Sequence, residues 1–329
     1  MKHVLITGIS GQAGSILAKS LLNDGEKVFG LIRQCSSRSL WRLKEMGIEK
    51  SVTLLEGDIT DQTCLNRIFE KHTFEECYHT AAQSYVKISW DQPVLTTNIT
   101  GLGTLCVLEA IRQHSQYTHL FHFSSSEMFG KVAETPQRET TLLRPRSPYG
   151  AAKVLSHHLC SIYRDSYDLF ISMGIFFNYE SEWRSEEFVT RVISKGVAEI
   201  VAGKRERIQL GNLEAQRDWT YAPEAMEAAK LILRLDKPGD YVVSSGKTHY
   251  ISSFLRLACE HVGLDPERVV QFDKTRLRPA EVDVLLGDSA KLKSDTGWEA
   301  SVDIRGIAQR MVNADLKRLG VRVPEVSGV

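Results

Sequence analysis

The chain has 329 residues, of which 42% are hydrophobic, and its 41 basic and 41 acidic side chains cancel. That length and apolar content can fill the core of one large α/β unit with an appended lobe. The charge balance excludes an overall field for nucleic acid or for an anionic membrane, so any anion has to be held locally.

In chain order, the apolar run behind Met1-Lys2-His3 is too short for a signal-peptide core and reads as a first strand over 4–7, so the mature protein is expected to start at Met1. Further strands are predicted over 27–32, 52–56, 77–80, 119–124 and 170–176, alternating with helical patterns. This alternation predicts an α/β fold built on a doubly wound parallel sheet, its strands almost continuously apolar because helices cover both faces. The longest apolar stretch, 169–177, is interrupted by Ser172 and Gly174 and falls far short of the roughly 20 residues that span a bilayer. A soluble, cytoplasmic protein with no nucleic-acid or membrane partner is expected.

After Asn178 the alternation weakens, and a polar stretch over 180–185 leads into an amphipathic helix expected over 186–202. Here a smaller, mainly helical lobe begins. Another helix opens at Pro223, and Tyr241-Val242-Val243 returns to the sheet as a strand, so the lobes interleave. Residues 1–178 plus about 215–248 make one, and about 179–214 plus 249–329 the other. No internal repeat or low-complexity segment interrupts them. Six cysteines (Cys35, Cys64, Cys77, Cys106, Cys160, Cys259) form no Cys-x-x-Cys pair and are read as reduced packing residues, with no metal site. Cys35 stands apart because it lies in a polar loop near a presumed cofactor.

Three motifs carry chemistry. Gly8-Ile9-Ser10-Gly11-Gln12-Ala13-Gly14 follows the first strand and opens a helix, a turn in which glycines let the backbone approach a pyrophosphate at the helix N-terminus. Its G-x-x-G-x-x-G spacing resembles the short-chain dehydrogenases, which implies a Rossmann-type sheet. Where NAD-specific proteins place an acid after the second strand, this chain has Arg33 and then Arg38 and Arg42, which suit the 2′-phosphate of NADP. Asp58 fits an adenine-contacting position after the third strand. The second motif, Ser147-Pro148-Tyr149-Gly150-Ala151-Ala152-Lys153, puts a phenol and an ammonium one helical turn apart, and the nearby cation favours the phenolate of an acid/base. The third, Phe123-Ser124-Ser125-Ser126-Glu127-Met128-Phe129-Gly130, ends the fifth strand and offers a sugar-binding hydroxyl at Ser125 and a carboxylate at Glu127. A dehydratase needs that carboxylate to remove one proton and protonate a leaving hydroxyl, whereas a reductase or 4-epimerase does not. His79 and His122, at strand positions, read as packed core histidines.

Taken with Ala82 to Ser89, Phe177 to Ser181, Leu210 to Trp219 and Arg278 to Asp283, these motifs resemble those of the GDP-mannose 4,6-dehydratases over nearly the whole chain. The resemblance implies a catalytic set of Ser125 (where the family usually has threonine), Glu127, Tyr149 and Lys153. It implies a tightly bound, recycled NADP against Gly8, Ser10, Gly11, Gln12, Gly14, Arg33, Asp58, Ile59, Ala81, Ala82, Gln83, Tyr149 and Lys153. A GDP-sugar substrate is implied at Ser84, Lys87, Ser126, Asn178, Glu180, Arg184, Arg217, Arg278 and Glu281. A homodimer or homotetramer, with the loop from Arg33 to Arg42 reaching toward a neighbour's cofactor, is implied as well. The chain departs from the family at Ala13, at Arg33-Gln34-Cys35 and at Glu182-Trp183-Arg184-Ser185, and the last bears on the sugar more than on the reaction. A GDP-heptose or another modified hexose fits nearly as well as mannose. Rival readings are an NADPH-dependent 4-keto-sugar reductase or epimerase on the same scaffold, and a cofactor-binding sensor without turnover.

Overall fold

The computed structural model describes residues 1–34, 39–277, 280, 282 and 284–323; Cys35, Arg38, Arg278 and Glu281 lie outside the described residues. Six strands alternate with helices in the first half: β1 (His3–Thr7), β2 (Lys27–Ile32), β3 (Thr53–Glu56), β4 (Glu76–His79), β5 (His119–Ser125) and β6 (Ile171–Phe176). They follow the expected strands to within a residue at either end. After them come β7 (Asn178–Glu180), β8 (Ile208–Leu210), β9 (Gln216–Tyr221), β10 (Asp240–Val243), β11 (Thr248–Tyr250) and β12 (Val270–Phe272). One parallel seven-stranded sheet has the order β10-β6-β5-β4-β1-β2-β3.

Alternating side chains of β1 go to opposite faces, as the two-residue strand period demands. Val4 and Ile6 join a core with the helices Gln12–Asn23 and Ala222–Leu233, whereas Leu5 joins a second core with the helix Gly103–His114. Both faces are thus dry. The chain order reverses beside β1, where β2 lies on one side and β4 on the other, and such switch points open a crevice at the carboxyl ends of the strands.

The expected helix after the polar stretch runs Val189–Val201, and with Ile251–His261 and Ile304–Arg318 it encloses a further apolar core containing Ile193, Phe254 and Met311. β9 contributes Trp219 and Tyr221 to that core and pairs with β7 and β11. The helix that follows it, Ala222–Leu233, packs back on the large sheet.

One helical run had no counterpart among the apolar stretches of the sequence. Pro93–His114 is continuous and has the length and composition of a membrane span, although half of it is buried inside the protein. Thr96, Thr97, Asn98, Thr100 and Thr104 interrupt its apolar pattern, and a π-helical turn at Asn98–Leu102 joins the pieces.

Candidate active site

The glycine turn starts where β1 ends. Gly8 has φ +72°, and a Cβ there would sit 2.9 Å from the backbone of Ala81, so only glycine lets the turn lie against the end of β4. Gly14 lies beneath the turn; a Cβ on it would meet the Gly8 carbonyl oxygen at 2.5 Å. The helix Gln12–Asn23 has Gly11 as its N-cap and no side-chain cap, which leaves its first N–H groups for an anion. Gly8, Ser10, Gly11 and Gln12 line a cavity of about 620 Å³, and Arg33, Asp58, Ile59, Ala81, Ala82 and Gln83 continue the same wall. Asp58 is held by the Thr60 N–H and hydroxyl, at 2.9 and 2.8 Å. A cradle that a Cβ would fill, an uncapped helix terminus and an exposed Arg33 at the end of β2 together fit a dinucleotide with a 2′-phosphate. Arg42 does not take part in that cradle: it is buried and hydrogen-bonded to Ser10, Trp183 and Ser185, which corrects its expected place at the 2′-phosphate.

The same cavity is also lined by Ser125, Glu127, Tyr149 and Lys153. Ser147 accepts a hydrogen bond from the Gly150 N–H at 3.0 Å and Pro148 sits in the first turn, so the helix Pro148–Tyr167 starts at a fixed point. That start places Tyr149 and Lys153 one turn apart, both lining the cavity, facing Ser125, Ser126 and Glu127 at the end of β5. The Ser125 hydroxyl hydrogen-bonds the Tyr149 phenol, which favours ionisation, but burial outweighs it and holds the phenol above its ordinary range. The expected phenolate is therefore not set up by Lys153 alone. Burial pulls the Lys153 ammonium down to about 8, and it donates to the Phe123 carbonyl. Beneath it, His79 and His122 are buried and stacked with ring centroids 5.5 Å apart, and burial with the neighbouring Lys153 pushes His79 down to about 3. His79 is bonded to the Thr7 and Thr104 hydroxyls, at 2.8 and 3.0 Å, and His122 to Ser156 at 3.1 Å. They are packed histidines, as read from the sequence, and give the ammonium a neutral floor.

A second cavity of about 540 Å³ adjoins the first, because Tyr85, Asn178, Glu187 and Phe188 line both. Lys87, Glu180 and Arg217 line the second cavity, whereas Ser84 and Arg184 line the first. Arg184 spans from an ion pair with buried Glu180 (3.1 Å) to the ring of Phe188, whose centroid lies 3.5 Å from the guanidinium carbon. Burial pushes the Glu180 carboxyl up against the pull of Arg184 and of the Thr190 hydroxyl. Arg217 donates to the carbonyls of Gln216 and Val282, at 2.9 and 2.7 Å, and so ties Val282 to the start of β9. Sequence reasoning missed Tyr85, Phe188 and Glu187 at the seam. Tyr85 lies inside a quoted motif, but nothing local distinguishes an aromatic at a seam from one in a core.

The family model described as GDP-mannose 4,6 dehydratase matches residues 5–311. The chain belongs to the GDP-mannose 4,6-dehydratase family. It is 39% identical to the human GDP-mannose 4,6 dehydratase over 95% of this chain and 91% of that one, and 39% identical to the Sinorhizobium fredii enzyme over 97% of each. Among solved structures it resembles UDP-glucose 4-epimerase from Thermus thermophilus in complex with NAD (26% identity, TM-score 0.83, covering 95% of this chain and 98% of that one). It shares the fold of dTDP-glucose 4,6-dehydratase from Bacillus anthracis (17% identity, TM-score 0.84, covering 96% and 97%). In this member of the dehydratase family the four acid/base and hydroxyl groups, the glycine turn and the seam between the cavities lie on one continuous surface.

Proposed function

We propose that this chain converts GDP-D-mannose to GDP-4-dehydro-6-deoxy-D-mannose and water, with NADP tightly bound and recycled. The observation that carries this reading is that Ser125, Glu127, Tyr149 and Lys153 line the same cavity as the glycine turn, and that this cavity adjoins the second. Residues 1–178 with about 215–248 hold the cofactor, and the remainder holds the GDP-sugar. Gly8, Ser10, Gly11, Gln12 and Arg33 would hold NADP, which would supply the hydride transfer between C4 and C6 of the sugar.

Ser125 orients the C4 hydroxyl, and Tyr149, as the phenolate that Lys153 stabilises, takes its proton and becomes the phenol. The resulting 4-ketone acidifies the C5 proton. Glu127 removes that proton and delivers one to the C6 hydroxyl, which leaves as water. Tyr149 then returns its proton to C5. Arg184, Arg217 and Arg278 pair with the diphosphate, since guanidinium forks match phosphate oxygens.

Exposed Val94, Leu102, Leu155 and Ile162 support a homo-oligomer. Leu155 and Ile162 lie on one face of the helix Pro148–Tyr167, and Leu155 packs beside Gly101 of the neighbouring run. The free cysteines at 64, 77, 106, 160 and 259 agree with a reducing cytoplasm.

The test is to incubate the purified protein with GDP-mannose and no added cofactor and to follow the product by mass spectrometry. Loss of one water without net NADPH consumption is expected. A product formed only at the expense of NADPH overturns the dehydratase in favour of a reductase. Glu127→Gln is expected to lower the dehydration rate by roughly 10²–10⁴-fold, and a variant that still releases water at the wild-type rate removes Glu127 from the mechanism.

A further inference from the structure

The glycine turn and the segment that follows β7 are hydrogen-bonded to each other through buried side chains. Gln12 donates to the Tyr179 carbonyl at 3.0 Å and accepts from the Ser181 hydroxyl at 2.8 Å. Arg42 supplies the larger connection: Nη1 donates to the Ser10 carbonyl at 3.0 Å, Nε to the Trp183 carbonyl at 2.7 Å and Nη2 to the Ser185 hydroxyl at 2.9 Å. Ser10, Arg184 and Ser185 line the first cavity, and Arg42 lies buried behind them.

A guanidinium presents its donors in a rigid planar fork, so three acceptors on two separate segments are held in one plane and at fixed spacing. Arg42 occupies this place against electrostatic opposition. Burial, Arg191 and Arg184 pull its pKa down to about 10, so it remains a cation at physiological pH. A buried cation of that kind is tolerated only while its acceptors stay in position, and moving either segment leaves charged donors unsatisfied. The turn and the segment carrying Arg184 therefore move together or not at all.

We infer that Arg42 is a positioning residue that couples the two cavities, fixing Trp183, Arg184 and Ser185 to the glycine turn so that a dinucleotide ordering the turn also orders the GDP-sugar site. This rests on the proposed occupancy of the two cavities by NADP and a GDP-sugar. The coupling is reciprocal: whatever factor NADP adds to GDP affinity, GDP adds to NADP affinity.

The test is calorimetric titration of GDP into protein stripped of dinucleotide and into the same protein saturated with NADP. For the wild type, NADP is expected to raise GDP affinity on the order of tenfold. In Arg42→Met and Arg42→Lys the factor is expected to fall below about twofold while both ligands still bind, since lysine keeps the charge and loses the fork. Ser185→Ala, which removes one acceptor, is expected to lie between. A loss of packing alone weakens each affinity and leaves their ratio unchanged, so the ratio separates positioning from stability. Should Arg42→Met not fold by circular dichroism, Ser185→Ala and Arg42→Lys carry the measurement. The inference is overturned if the wild-type GDP affinity is the same with and without NADP, or if the folded variants keep the wild-type factor. A wild-type protein that binds no GDP overturns the proposed function, and this inference with it.

Discussion

At Tyr149 a hydrogen bond and a burial penalty pull in opposite directions, and burial wins. The i, i+4 spacing to Lys153 was legible in the sequence, as was the fifth-strand end that brings Ser125 and Glu127 to the same cavity. The balance of their acidities was not, because desolvation depends on every neighbour that excludes water. Lys153 makes this measurable. Its native value of about 8 lies below the 10.5 of an exposed lysine. Below about pH 8 both folded and unfolded chains carry the proton and the burial penalty is felt in full. Between about 8 and 10.5 the native protein releases the proton while the unfolded chain keeps it, so stability rises with pH. Lys153→Met is therefore expected to stabilise the cofactor-free protein at pH 7, by on the order of 1–3 kcal/mol, while abolishing turnover. The gain should vanish as the pH approaches 10.5. Urea midpoints of the wild type and variant at pH 7 and pH 10 check this, and equal differences at the two values contradict it.

Among elements, the strands were the easiest to read, because a strand buried on both faces writes an unbroken apolar run. The helix Pro93–His114 was the hardest. Its threonines break the run in sequence, yet Thr96, Thr100 and Thr104 are buried, with their hydroxyls bonded within the helix or to Gln83 and His79. The glycine turn shows how an element is fixed by contact with its neighbours. Gly14 has ordinary helical placement, and what requires glycine is the 2.5 Å approach of the Gly8 carbonyl to the site of its missing Cβ. Gly14→Ala is expected to destabilise the protein by about 1–3 kcal/mol, as overpacking does, and to release the dinucleotide. Thermal denaturation and the NADP content of purified protein measure both. An alanine variant that keeps its cofactor at wild-type stability would mean that the turn can yield.

For the whole molecule, the two cavities join only because β7, the seam residue Phe188 and the segment around Arg184 return to the end of the large sheet. Oligomerisation belongs to this scale also. Ile162→Glu puts a charge into the exposed apolar face of the helix Pro148–Tyr167, and it is expected to shift the protein to monomer in sedimentation velocity while leaving its circular dichroism unchanged. An unchanged sedimentation coefficient places the interface elsewhere. Periodicity, turn glycines and the spacing of Tyr149 to Lys153 are local, so the parallel sheet, the glycine turn and the meeting of Ser125, Glu127, Tyr149 and Lys153 at one cavity could be read from the residues and the resemblance they carry. The fate of the arginines could not. Arg33 and Arg42 look alike in sequence, and only folding exposes the first beside the cofactor turn and buries the second against Ser10, Trp183 and Ser185, because the acceptors that claim a guanidinium come from segments far apart along the chain.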